Sequence, residues 1–332
     1  MNVCVLHNNV APGAGPDEQD VLVQAAEISE TLKRLGHAVC RVAADLDCAQ
    51  VLSTIRRTQP AVVFNLVESL AGSDALIHVY PALLEAVGIP FTGSSAAALF
   101  LTSDKLIAKR LMACAVIPTP AHIDLNDPLA CVSAPGTCII KSATEHASAG
   151  LEADCVVEIG STADAAAARR KFAQRFRSGR FFVEAFIAGR EFNLSILDGP
   201  GGPEVLAPAE IMFTNFGDRP AIVGYSAKWS ESSPEYINTQ RSFAFGDTDL
   251  TLLESLKAAA LACWREFSLR GYARVDFRVD AHNRPWVLEI NANPCLSIDA
   301  GFMAAAGQSG YAPEAVIERI LHAAVLKQEA VS

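Results

Sequence analysis

Aromatic residues make up only 7% of the 332-residue chain, and no apolar run is long enough to span a bilayer, which sets aside a helical membrane protein. The opening "MNVCVLHNNV" lacks a basic leader, so no signal peptide is expected. Basic residues are in deficit, 27 against 37 acids for a net charge of -10. That balance argues against a uniform basic stripe for nucleic acid while leaving room for a local cationic pocket. The nine cysteines (4, 40, 48, 114, 131, 138, 155, 263 and 295) form no Cys-x-x-Cys pair, so neither a zinc knuckle nor a disulfide framework is indicated. Reduced thiols and a cytoplasmic location are the expectation. No Gly-x-Gly-x-x-Gly follows the first apolar strand, which removes the dinucleotide dehydrogenases.

What is present is a chain 51% hydrophobic and long enough for two or three domains. "NVCVLH", "HAVCRVAA" and "AVVFNLV" read as strands alternating with helices, the first of them closed by Gly36. Strand–helix alternation predicts a parallel α/β sheet over about the first hundred residues. Beyond Asp104 the pattern changes: a helix, the strand "GTCIIKSA", the helix "TADAAAARRKFAQRF", then "RFFVEAFIAGREFNLSIL" as two strands joined through Gly189. The stretch from Gly199 to Thr248 is rich in Gly, Pro and Ser with weak periodicity and predicts a long loop. The helix "LTLLESLKAAALACWREF", a polar hairpin and a helix from Pro313 to Gln328 complete the chain.

The hairpin carries the chemistry. "YARVDFRVD" and "PWVLEIN", joined by Ala281 to Arg284, set Asp280 opposite Pro285, Asp276 opposite Glu289 and Arg274 opposite Asn291. With a period of two, Arg274, Asp276, Glu289 and Asn291 share one face. Val275, Phe277, Val279, Trp286, Leu288 and Ile290 share the other. Facing carboxylates repel, and a divalent cation between them removes the cost. Two carboxylates and an amide suit magnesium or manganese rather than zinc. The competing reading is a solvated face on which Arg274 and Asp276 form a surface ion pair.

With this hairpin, "FTGSSAAALFLTSDKLIAK", "IIKSATEHASAGL" and "FFVEAFIAGREF" resemble the ATP-grasp ligases, and among them the D-alanine–D-alanine ligases. The resemblance implies an ATP-grasp fold, α/β with α+β parts, opening with a Rossmann-like α/β domain. Its expected divisions are 1–96, a small central domain at 97–187 and a metal-bearing domain at 188–332. It also implies ATP with Mg²⁺ or Mn²⁺, small carboxylate and amine substrates (amino acids first), no nucleic acid, no membrane, and allows a homodimer.

Residue by residue, the resemblance assigns Lys105 and Lys141 to the ATP phosphates. It assigns Ala185, Phe186 and Ile187 to adenine, Glu184 to its amino side and Glu191 to the ribose. Asp276, Glu289 and Asn291 would hold the metal, Arg274 the oxyanion of the tetrahedral intermediate, and Lys228 the γ-phosphate. Ser148 and Gly150 match the phosphate loop, in which His146, Ala147 and Ser148 replace a more usual Gly-Ser-Ser. Lys109 is a further phosphate candidate whose helix position suits a surface charge equally well, and His146 reads as a loop residue rather than a catalytic base.

The substrate end departs from the family pattern. Either Glu18 or Asp20 stands where an acid holds the first substrate's ammonium. "NLVESLAGSDA" replaces the family's His-Gly and Glu-Asp-Gly loop, with Glu68 and Asp74 as substrate contacts or solvated charges. Cys295 occupies a glycine position, as a reactive thiol or a packing residue. Ala300 stands where a serine anchors the second carboxylate, with Asp299 beside it. The expected activity is a carboxylate–amine ligase acting through an acyl phosphate. Alternatives are a ligase for another amino acid or dipeptide, an enzyme passing its acyl phosphate to a different acceptor, and an ATP-binding module without turnover.

Overall fold

The computed structural model describes residues 1–125 and 136–329, so Cys131 and the chain's last residues lie outside it, as do the side chains from 326 on. The first part of the chain runs β1 (Asn2–Asn8), α1 (Pro16–Arg34), β2 (Ala38–Ala44), α2 (Cys48–Arg57), β3 (Val62–Leu66) and α3 (Val79–Ala86). Its three strands form a parallel sheet in the order β2-β1-β3. Val3 to Leu6 are buried on both faces, as a strand covered by helices on each side requires. α1 begins with Pro16, Asp17 and Glu18 and ends on Lys33 and Arg34, matching the helix dipole at both ends. Val21, Ala25, Ile28 and Leu32 form its buried stripe against this sheet.

Next come α4 (Ala96–Ser103), α5 (Lys105–Cys114), β4 (His122–Asp124), β5 (Gly136–Ser142), β6 (Val156–Ile159), α6 (Thr162–Phe172) and β7 (Phe181–Ala185). The strands make an antiparallel sheet, β4-β7-β5-β6, covered by α6 through Ala168 and Phe172. α5 touches this sheet through Leu106, packed with Ala143 and Phe182, while Leu99 of α4 and Ala108 and Met112 of α5 pack into the core of the third sheet.

That sheet holds β8 (Arg190–Leu197), β9 (Glu204–Val205), β10 (Ala209–Phe213), β11 (Thr239–Ser242), β12 (Tyr272–Val279) and β13 (Pro285–Asn291). Its main path is β11-β10-β8-β12-β13, with β9 added to β8. The stretch expected as a loop from Gly199 to Thr248 therefore contributes three strands, with α7 (Tyr225–Trp229) and α8 (Pro234–Ile237) between them. These pieces are too short to show periodicity, and sheet neighbours supply their order. α9 (Leu250–Glu266), α10 (Gly301–Gln308) and α11 (Pro313–Glu329) complete the set.

β7 and β8 are consecutive yet belong to different sheets, and Gly189 makes the crossing. Its φ of +137° and a virtual Cβ only 2.1 Å from the Val279 carbonyl oxygen leave no room for a side chain.

The β12–β13 hairpin corrects one detail of the sequence reading. Val279, not Asp280, pairs with Pro285, and the loop spans 280–284, closed by the Asp280 N–H donating to the Arg284 carbonyl at 3.1 Å. A β-bulge after Asp276 takes up the extra residue, so Asp276 still faces Glu289 and Arg274 still faces Asn291. Below the bulge the faces exchange. Val287 is buried in the core with Val275, Phe277, Val279 and Ile290, whereas Trp286 pairs with Arg278 and Leu288 lines the cavity described next.

Candidate active site

A cavity of about 830 Å³ is lined by residues of all three sheets. Glu18, Asp20, Lys105, Lys141, Ser148, Glu184 to Ile187, Glu191, Lys228, Arg274, Asp276, Glu289, Asn291 and Cys295 line it, whereas Gly150 and Lys109 do not.

Sheet register sets the acidic face. Asp276 on β12 lies between Asn193 of β8 and Glu289 of β13. Its carboxylate accepts from Arg274 Nε at 2.7 Å and Nη2 at 2.8 Å, from Asn193 at 2.8 Å and from Asn291 at 3.2 Å. Arg274 is therefore held in a bidentate grip beside the site rather than in a solvated surface pair. Burial works against its charge, but Asp276 raises its pKa well above the usual arginine value. Glu289 sits 3.6 Å from Lys105 Nζ. Burial alone would raise its pKa; Lys105, then Lys228, His146 and Lys141, outweigh this and hold it far below the carboxylate range. The acid is thus anionic at any working pH. Among the described residues no three His, Cys, Asp or Glu side chains cluster as a metal site. Two carboxylates and an amide oxygen fit only a hard cation that draws its remaining ligands from elsewhere.

The lysines are positioned from the central sheet. Lys141 on β5 reaches Glu184 of β7, and Lys109 of α5 meets the other Glu184 oxygen at 2.7 Å. Lys109 is fully buried, where the helix pattern equally allowed a surface charge, and it also donates to Thr119 Oγ1 at 2.8 Å. Burial lowers the Lys109 pKa, with Glu184 opposing. For Lys141 burial also opposes the charge, but Glu184 more than offsets it and raises the pKa. Glu184, expected beside a purine amino group, has both oxygens committed to lysines and so fixes Lys141 at the cavity wall. Lys105 Nζ donates to the Glu145 carbonyl at 2.6 Å.

The loop from Glu145 closes the cavity. Ala147 and Ser148 take left-handed φ values of 56° and 60°. Ser148 Oγ donates to the Val223 carbonyl at 2.8 Å, and Trp229 Nε1 donates to the Ala147 carbonyl at 3.0 Å. These bonds fasten the loop to α7 and bring Lys228 over the acids. Burial lowers the Lys228 pKa, Arg274 adds to this, and Glu289 and Asp276 oppose. The buried ring of His146 has its pKa pushed down to about 3 by desolvation and then by Lys105, and its Nε2 has no partner among the described residues. The His146 backbone N–H donates to Asp74 Oδ2 at 2.8 Å.

Arg278 and Asn193 are among the site residues that the sequence reading missed. Arg278 is buried; it pairs with Glu191 at 3.2 Å, donates to the Gly189 carbonyl at 2.9 Å and lies over the Phe186 ring at 5.3 Å. The every-second-residue pattern Arg274, Asp276, Arg278 was the signal for it. Asn193, by contrast, is placed only by the pairing of β8 with β12.

At the far end, Glu18 is tied to Arg177 in an ion pair at 2.5 Å, whereas Asp20 faces Cys295 Sγ at 3.3 Å. Burial raises the Asp20 pKa despite the Cys295 contact. Burial and then Glu68 and Asp20 push the Cys295 thiol far up, so it stays protonated and is no nucleophile. Glu68 accepts from Gln24 at 3.0 Å and has its pKa raised to about 7, mainly by burial.

Residues 131–322 match the family model described as D-ala D-ala ligase C-terminus. The chain is 29% identical over 331 residues to the D-alanine–D-alanine ligase of Synechococcus sp. (strain JA-3-3Ab), covering 98% of this chain and 94% of that one. It is also 29% identical over 329 residues to the D-alanine–D-alanine ligase of Moorella thermoacetica, covering 95% and 98%. The fold matches the crystal structure of the D-alanine–D-alanine ligase from Bacillus anthracis complexed with ATP, with a TM-score of 0.75 at 18% identity over the whole of both chains. The chain belongs to the D-alanine–D-alanine ligase family of ATP-grasp proteins, and so to the ATP-dependent carboxylate–amine ligases. Among the described residues no helix is long and apolar enough to cross a membrane.

Proposed function

We propose that the chain joins the carboxylate of one amino acid to the amino group of a second, using ATP and Mg²⁺. The observation that carries this reading is a single cavity in which Asp276, Glu289 and Asn291 face Lys105, Lys141 and Lys228, with Arg274 between. The donor carboxylate oxygen attacks the γ-phosphorus of ATP, the bond to the ADP oxygen breaks, and an acyl phosphate forms. The acceptor amine then attacks the acyl carbon, loses a proton, and expels inorganic phosphate.

Lys105 and Lys141 bind the phosphates, and Lys228 closes over the transferring group as α7 docks on the phosphate loop. Arg274, oriented by Asp276, stabilises the oxyanion of the tetrahedral intermediate. Asp276, Glu289 and Asn291 would hold Mg²⁺ (or Mn²⁺), which would supply positive charge to neutralise the phosphates. Phe186, stacked under Arg278, forms the adenine wall with the Ala185 and Ile187 backbone, while Glu191 reads the ribose. Asp20, nearer Cys295, is the better placed of the two acids for the donor ammonium; Glu18 is engaged with Arg177. Ser148 acts through the loop it fastens. This reading keeps the divisions at 96 and 187, a cytoplasmic location, small-molecule substrates without nucleic acid or membrane, and a homodimer as the state to test.

A product other than D-alanyl-D-alanine is the second reading, favoured by Cys295, Asp299 and Ala300 at the substrate end. Phosphate release with ATP and Mg²⁺ across D- and L-amino acids separates the two. Activity with D-alanine alone supports the family's own product, and activity with another pair supports the second reading. Silence throughout, with Glu289→Gln leaving ATP affinity unchanged, removes both.

A further inference from the structure

The cavity's cations are largely neutralised from within. Arg274 is paired with Asp276, Arg278 with Glu191, Arg177 with Glu18, Lys141 with Glu184, and Lys105 with Glu289. Two cavity cations form no ion pair with a described residue, Lys228 and Arg241. Lys228 has its place over the acids of the metal face. Arg241 has none in the reaction so far described.

Arg241 stands on β11, opposite Ile211 of β10, and its guanidinium lies over Gly301: a Cβ there would come 3.4 Å from Nη2. Asp299 acts on it only from beyond ion-pair distance, while Arg274 repels it; burial and that repulsion together lower its pKa. Arg241 is exposed to solvent at the cavity rim, and a guanidinium there beside a like charge is stabilised by an anion arriving between them. Its position favours the acceptor over the nucleotide, because Arg241 faces Asp299 to Gly301, beyond the metal-binding strand. An α-amino acid carries its carboxylate two bonds from the attacking nitrogen. A group that holds the carboxylate must therefore stand close to the one that stabilises the oxyanion, and Arg241 and Arg274 are near enough to feel each other's charge.

We propose that Arg241 binds the α-carboxylate of the acceptor amino acid, the task the family pattern gives to a serine where this chain has Ala300. The assignment rests on the ligase reading above and makes the acceptor a free amino acid rather than a simple amine or an amide. Arg241 is thus a specificity-determining residue outside the quoted motifs.

The test uses steady-state phosphate release, with ATP and donor saturating, for the preferred acceptor amino acid and for its carboxamide. Arg241→Gln should raise the acceptor KM roughly 10- to 100-fold, the size of a lost charge-assisted hydrogen bond. The KM values for ATP, for the donor and for the carboxamide should not move, and Arg241→Lys should recover part of the loss. An equal loss with acid and amide, no change with either, or a raised KM for ATP overturns the assignment while leaving the ligase intact. A wild-type chain that releases phosphate with no amino acid sinks the ligase reading first, and the Arg241 assignment with it.

Discussion

The two ends of the cavity are built on different principles. At the phosphate end, Glu184, Lys109, Lys141, Glu289 and Asp276 sit on paired strands and a helix, and almost every charge is matched by a neighbour two or three ångströms away. At the substrate end, Asp20, Glu68, Cys295, Asp299 and Arg241 come from a helix, two loops and an edge strand, and their charges are only partly matched. A network satisfied from within preserves its geometry whatever the substrate. One left unsatisfied waits for the substrate to complete it, and it can vary without unfolding the protein.

That contrast breaks most visibly at Glu184. Glu184→Gln leaves Lys109 and Lys141 buried without their counter-charge and should cost about 3–5 kcal/mol, measured as a shift in the denaturant midpoint. A loss near zero would mean that the lysines find water or other partners and that the phosphate end is not self-satisfied. Glu289→Gln should lower phosphate release by about 10²–10³-fold, since it removes charge that stabilises the transition state. Fluorescence titration with ATP and Mg²⁺ should show weaker binding as well; unchanged binding and turnover would empty the proposed metal face.

At the other end the effects are smaller. Glu68 has a folded pKa of about 7 against an ordinary value of 4.5, so burial opposes its charged form. Its contribution to stability is fully present below pH 4.5 and is lost as pH rises towards 7. Glu68→Gln removes that slope, and unfolding midpoints of the two proteins across pH 4.5–7 should converge at the acid end and separate at neutral pH, with the variant the more stable. Parallel curves would show that Glu68 titrates normally. Smallest of all, Cys295→Ala should retain turnover within about tenfold, because a thiol kept protonated is not a nucleophile. Abolished activity with ATP binding intact would reverse that assignment.

Legibility from the sequence follows the same division. The acids of the hairpin were found from a period of two, even though the loop is one residue longer than expected and a bulge at Leu288 restores the register. Lys141 stood out as a charge ending an apolar strand. Glu184 was located but not its partners, because nothing local says that α5 brings Lys109 under β7. The segment from Gly199 to Thr248 looked like a loop since its strands are two to five residues long, too brief for a periodic signal. Arg241 lies on such a strand, β11, whereas Asn193 lies on the longer β8 and gains its place only from the pairing of β8 with β12.

The amino-acid order alone determined the parallel opening sheet, the helices with apolar stripes and the facing acids of the hairpin, because each depends on spacing within a few dozen residues. Tertiary structure alone decided which lysines Glu184 holds, that Asp276 clamps Arg274 with help from Asn193, and that Arg241 stands in the cavity without a counter-ion among the described residues. These depend on which strands become neighbours across the chain, and burial then turns that adjacency into charge pairing strong enough to set the site.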